Sequence, residues 1–170
     1  MSRFALVSVF CPDRTGLVAA VTGRLFDLGI NLGDMSFSVL GSGAELTAVC
    51  ECPDILSLEE LEDALKDMAE LGPAEIKVSP FKLDPKHGPA GEVTHHIVVR
   101  GGDQPGLVAR ICEMFVEFRA NIVRLDAGTE DGDYVIRLAV FLPESSTEAC
   151  LATVKNTAEG LQLAFESEPT

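Results

Sequence analysis

The feature that most restricts how this 170-residue chain can fold is an internal repeat. Laid on itself at an offset of ninety residues, Cys11-Pro12-Asp13-Arg14-Thr15-Gly16-Leu17-Val18-Ala19 falls on Gly101-Gly102-Asp103-Gln104-Pro105-Gly106-Leu107-Val108-Ala109. Asp, Gly, Leu, Val and Ala match in place, Asn31 falls on Asn121, and Val9 falls on Val99. Self-similarity at a fixed offset means one structural unit used twice. Between the copies, Lys82 to Val93 carries Pro85, Gly88, Pro89 and Gly91 and reads as an exposed linker. The expected division is residues 1–82, a linker at 83–93, and 94–170.

Each copy has the same order of elements. Residues 3–10 are a dense apolar run, the pattern of a central strand. After a turn, Leu17, Val21, Leu25 and Leu28 form one helical stripe that Gly29 ends. Residues 30–40 read as a strand with Met35, Phe37 and Val39 on one face, and Gly41-Ser42-Gly43 as its hairpin turn. Residues 44–52 alternate, with Ala44, Leu46, Ala48, Cys50 and Cys52 inward. Ser57 and Glu60 form a capping box for a helix bearing Leu58, Leu61, Leu65 and Met68, which Gly72-Pro73 stops. Ile76 and Val78 mark a last strand. In the second copy, strands are expected at 94–100, 121–129 and 133–142, with a turn at 130–132. One helix follows Gly106 with Leu107, Ile111, Phe115 and Phe118. Ser145 with Glu148 caps another carrying Leu151, Val154 and Ala158, and Leu161, Leu163 and Phe165 alternate in a final strand. The order βαββαβ, twice, predicts an α+β protein of two ferredoxin-like units, each an antiparallel sheet with both helices on one face. About eighty residues are marginal for an independent core, and edge strands need cover, so a homodimer is expected.

The segment Cys11 to Ala20 followed by Gly29-Ile30-Asn31-Leu32 resembles the opening of an ACT domain, and Gly102 to Arg110 with Asn121-Ile122 resembles it again. ACT domains are βαββαβ modules that bind amino acids and regulate what they are attached to. A tandem pair with no other domain is similar to the group of glycine cleavage system transcriptional repressors, which implies action on a protein partner rather than on DNA. The first motif also resembles the N-terminal ACT region of formyltetrahydrofolate deformylase, but a second ACT-like copy stands where that enzyme has its hydrolase domain. The resemblance therefore implies a non-enzymatic regulator of amino-acid metabolism or of its transcription, with a small amino acid such as glycine as ligand.

The loop chemistry suits that guest. A helix N-terminus offers free N–H groups and partial positive charge to a carboxylate. Asp13 and Asp103 are placed to accept from an α-ammonium group, with Arg14, Thr15, Gly16 and Leu17 beside the first and Gln104, Gly106 and Leu107 beside the second. Asn31 and Asn121, opening the next strand, are expected at the same end of the sheet, where an amide both donates and accepts. The plainer reading of the aspartates is a helix cap, and of the asparagines a turn. Because Arg14 and Thr15 become Gln104 and Pro105, the first copy is the favoured binder.

Charge narrows the partners. Thirteen Lys+Arg against 27 Asp+Glu give −14, shared as −8 over residues 1–85 and −6 over 86–170. A nucleic-acid binder needs a basic face, so direct DNA or RNA contact and anionic membrane are disfavoured, and a basic protein partner is favoured. No run approaches a membrane span, and the short N-terminal apolar run is not a signal peptide. Five scattered cysteines do not make a disulfide framework and fit a reduced cytoplasm. Cys50 and Cys52 share a strand face and read as buried thiols. His95 and His96 point to opposite faces, and no metal or other cofactor is expected. Cys11, just ahead of a helix N-terminus, leaves open a thiol-dependent or accessory enzyme role. A third alternative is an interaction module without ligand.

Overall fold

The computed structural model describes residues 3–170 and divides into two compact units, Met1–Pro85 and Lys86–Thr170. The opening residues Met1 and Ser2 lie outside the described residues. In the first unit, β1 (Arg3–Pro12), α1 (Leu17–Asp27), β2 (Asn31–Leu40), β3 (Gly43–Cys52), α2 (Leu58–Lys66) and β4 (Glu75–Pro80) follow in that order. The second unit repeats it with β5 (His95–Gly101), α3 (Leu107–Glu117), β6 (Asn121–Glu130), β7 (Asp133–Phe141), α4 (Thr147–Gly160) and β8 (Ala164–Pro169). The sheets run β2-β3-β1-β4 and β6-β7-β5-β8, antiparallel throughout. Both units are ferredoxin-like βαββαβ folds.

The alternation seen in the sequence sets the core. Ala5, Val7, Val9 and Cys11 of β1 and Ala44, Leu46, Ala48, Cys50 and Cys52 of β3 are buried against Leu17, Val21 and Leu25 of α1 and Leu61 and Leu65 of α2. In the second unit Ile97, Val99, Ile136, Leu138 and Val140 pack on Leu107, Ile111 and Phe115 of α3 and Cys150, Val154 and Ala158 of α4. Met35, Phe37 and Val39 lie opposite Ala48, Leu46 and Ala44 and so share the helix-facing side, but β2 is an edge strand and they stay 40%, 38% and 52% exposed.

Helix ends are set by local chemistry. Ser57 and Glu60 make the expected reciprocal cap of α2: the Glu60 N–H donates to Ser57 Oγ at 3.1 Å and the Ser57 N–H donates to Glu60 Oε2 at 2.7 Å. At the C-terminus of α1, Ile30 N–H reaches Leu25 O and Gly29 N–H reaches Phe26 O, a Schellman turn with Gly29 at φ +72°. The second unit makes the same turn with Arg119 at φ +54°.

Two expectations are corrected. Ser145 and Glu148 form no capping box. A short 3-10 turn, Glu144–Ser146, runs into α4 instead, and the Ser146 hydroxyl donates to the carbonyls of Phe118 and Pro143 rather than accepting from the helix. Leu161 is not in a strand but ends α4. Gln162 at φ +62° breaks the extended pattern, and the last strand begins only at Ala164. Residues 86–93 group with the second unit and include a 3-10 turn at Pro89–Gly91, and Asn121 Nδ2 donates to Ala90 O at 2.7 Å.

Candidate ligand-binding site

The β1–α1 loop is held at three points. The Asp13 N–H donates to Ser42 O at 3.0 Å, which ties the loop to the β2–β3 hairpin. Arg14 Nη2 reaches Ala69 O at 3.4 Å, in the turn after α2. Gly16 is the N-cap at φ +86°, a left-handed conformation that costs an L-residue about 1–2 kcal/mol. No side chain caps α1, so Asp13 is not the cap its position suggested. The Leu17 N–H turns back to Arg14 O at 3.4 Å, and the N–H groups of Val18 and Ala19 are left for solvent or a guest. They face a shallow hollow of about 550 Å³ lined by residues 13–19 and by Phe37. Asp13, Arg14, Thr15 and Gly16 are exposed on it, whereas Leu17 is buried beneath and anchors the helix to the core.

Phe37, with Val18 and Ala19, was missed as a lining residue. Its place opposite Leu46 reads as core. Only the position of β2 at the sheet edge leaves its ring open beside the loop.

The second loop keeps the backbone and changes the side chains. Gly106 is again a left-handed N-cap, at φ +79°, with no side-chain cap, so Asp103 is not a cap either. Gln104 Nε2 donates to Leu161 O at 3.1 Å, at the end of α4. Arg14 and Gln104 thus do one job: each clasps its loop to the chain just beyond the second helix of its unit. Leu107 is buried like Leu17.

The asparagines are elsewhere. Asn31 opens β2 opposite Glu51, which in turn faces Phe4 near the start of β1. At about 3.3 Å per strand residue, it lies roughly 30 Å along the sheet from Asp13. Its Nδ2 donates to Glu51 Oε2 at 3.3 Å. Asn121 is likewise opposite Phe141, level with the start of β5 and remote from Asp103. The helix between strands carries the chain back across the sheet, so β2 starts where β1 starts. The expected single cluster of Asp13 with Asn31, or Asp103 with Asn121, does not form within a unit.

Cys11 is only 2% exposed, and burial pushes its thiol above the ordinary range, partly opposed by the Arg14 charge. That is the wrong direction for a nucleophile. Burial raises Cys50 to about 12 and Cys150 to about 11. Among the described residues no group of three or more His, Cys, Asp or Glu is arranged to hold a metal ion, and no helix is long and apolar enough to cross a membrane.

With this geometry in place, comparison with known proteins identifies the fold. Residues 5–70 match the model of the ACT domain family. The first unit is an ACT domain. The second repeats its fold, so the chain is a tandem of two ACT-type units. Its structure superposes on an unknown protein from Galdieria sulphuraria with a TM-score of 0.76 at 18% identity, covering 100% of this chain and 99% of that one. It superposes with a TM-score of 0.72 at 13% identity on a protein provisionally named a glycine cleavage system transcriptional repressor, covering 100% and 98%. At such identities the likeness is one of fold. No curated protein sequence matches the chain. ACT domains are regulatory amino-acid-binding modules.

Proposed function

We propose that this chain is a non-enzymatic regulator that binds a small amino acid, glycine or a close relative, at the β1–α1 loop of its first ACT domain. The observation that carries this is the start of α1. It is a helix N-terminus without a side-chain cap, opening on a hollow beside Asp13 and Arg14. A carboxylate satisfies the free N–H groups and the partial positive charge, and Asp13 accepts from the ammonium group. Gly16, Leu17 and Thr15 shape the floor. The second loop, with Asp103, Gln104, Gly106 and Leu107, is the weaker candidate, because Pro105 removes both an N–H and the Thr15 hydroxyl. Asn31 and Asn121 contribute to a site only if another copy of the fold brings them to a loop, in keeping with a homodimer.

Binding changes the affinity for a protein partner to the extent that the ligand prefers one of two packings. The −14 charge favours a basic partner. The likeness in fold to the provisionally named repressor supports a role in the transcription of amino-acid metabolism, in the cytoplasm, through a partner and not through DNA. The thiol-enzyme alternative loses ground with Cys11 buried and its thiol shifted upward.

Calorimetry of the full chain with glycine and serine tests the reading. We expect saturable binding at or below millimolar concentration, weakened at least about tenfold by Gly16→Val and unaffected by Gly106→Val, with circular dichroism unchanged. Absence of binding by any small amino acid, or equal affinity in Gly16→Val, overturns it.

A further inference from the structure

The face of the second sheet that points away from the helices carries two arginines, Arg124 and Arg137, at positions where the first sheet has Asp34 and Thr47. His96 of β5 and Arg124 of β6 both pair with Ala139 of β7, so the three stand on one rung with the smallest side chain in the middle. On the next rung Val98 pairs with Arg137, and Arg137 with Asp126. Adjacent strands are about 4.8 Å apart, so His96 and Arg124 stand about 10 Å apart across Ala139. Together they enclose a hollow of about 210 Å³ floored by Ala139, itself only 7% exposed.

The charges here are not evenly satisfied. Arg137 is held by Glu130, at 2.5 and 2.8 Å, and Arg100 leans on Glu130 and Asp133 at 3.5 and 3.8 Å. Arg124, exposed on the rim, has neither a hydrogen bond nor an ion pair among the described residues. An exposed guanidinium presents a planar fork of donors suited to an oxyanion. The imidazole of His96 faces it from the other rim, and the Ala139 methyl leaves room between them.

We propose that this hollow is a binding site for a small oxyanion, held between Arg124 and His96 with the Arg137 charge behind. Asp126 lines the hollow itself, Glu168 of β8 pairs with His96 and Glu166 with Val98 on the same face, and the chain as a whole is strongly acidic. Those charges repel a polyanion and limit the guest to one carboxylate or phosphate group. The ninety-residue offset puts Leu6, Val49, Asp34 and Thr47 where the second unit has His96, Ala139, Arg124 and Arg137. The site therefore exists in one copy only. It lies on the opposite sheet face from the helices and does not depend on the amino-acid site proposed above.

Nuclear magnetic resonance of the full chain tests this, at ionic strength held constant with sodium chloride. Inorganic phosphate and acetate are titrated separately while the amides of His96, Ala139 and Arg124 are followed. We expect saturable shifts at these three amides with at least one anion, and an affinity about tenfold lower in Arg124→Gln. Saturation by phosphate alone points to a phosphate ester as the natural guest, and by acetate alone to a carboxylic acid. Shifts that do not saturate with either anion overturn the proposal. So does wild-type affinity in Arg124→Gln, or an equal loss in Arg24→Gln, which removes a charge from the other unit.

Discussion

The two units carry one fold written in two ways, and their differences separate what the fold requires from what each copy does. Both keep a left-handed glycine at the start of the first helix and a buried leucine after it, Gly16-Leu17 and Gly106-Leu107. Both clasp that loop to the chain just beyond the second helix, but one uses Arg14 and the other Gln104. The clasp needs only a donor of the right reach, so the charge at Arg14 is free for another purpose. The edge strands differ more. β2 exposes Met35, Phe37 and Val39, whereas the matching positions of β6 are Leu125, Ala127 and Thr129. The outer sheet face of the second unit carries Arg124 and Arg137, where the first unit has Asp34 and Thr47.

The largest expected effect tests whether the copies are independent. Leu25 and Phe115 are equivalent by the ninety-residue offset and both fully buried. Truncating Phe115 to Ala should cost about 3–5 kcal/mol, and Leu25 to Ala about 2–5 kcal/mol. Amide exchange should accelerate throughout the damaged unit while the other keeps its protection. Acceleration in both would mean that the copies unfold as one.

The helix caps come next. Ser57→Ala removes half of a capping box that the second unit lacks, and should lower stability by about 1 kcal/mol. Ser145→Ala, at the position where the repeat leads one to expect a cap, should change it by less than about 0.5 kcal/mol. Urea denaturation of the two variants measures the contrast directly.

A third prediction runs the other way. Arg119 occupies the left-handed position that Gly29 fills in the first unit. Arg119→Gly should raise stability by about 0.5–1 kcal/mol, because the relief of left-handed strain exceeds the entropy glycine adds to the unfolded chain. No change in melting temperature would show that the strain is taken up elsewhere.

The smallest effect is in pH. Hydrogen bonds from Ser57, backbone N–H first and then side chain, hold the Glu60 carboxyl below its ordinary range. A folded pKa below the unfolded one stabilises above the unfolded value and is lost as pH falls through the folded one. The difference in stability between the native chain and Glu60→Gln should therefore shrink as pH is lowered through about 4, and a thermal melt series checks it.

Most of the fold was legible because its signals are short-range. Ser57-x-x-Glu60 is a cap wherever a helix follows, and the alternation of residues 44–52 has one solution once a core exists. Ser145 misled because a serine just ahead of a helical pattern reads as a cap, whereas a 3-10 turn leads into α4 and it is the neighbouring Ser146 hydroxyl that bonds, donating to the carbonyls of Phe118 and Pro143. Leu161 and Leu163 alternate like strand residues, yet Leu163 is buried from a turn. The loop residues of the candidate site were found from the motif. Asn31 was assigned to the wrong end because its place depends on strand direction, which the order βαββαβ implies but no local pattern states. Phe37 was missed because a strand pattern reports the face and not the edge.

The strand order also has a consequence in time. β2 pairs with β3 across a two-residue turn, and β6 with β7 likewise, so these hairpins form contacts between near neighbours in the chain. β1 must wait for β4: Val7 meets Val78, and Phe4 accepts from Phe81. Closing loops of that length carries a larger entropic cost and slows folding. Each unit should therefore assemble as a hairpin with its helices first and be zipped shut by its last, six-residue strand, which is also the one most readily peeled away.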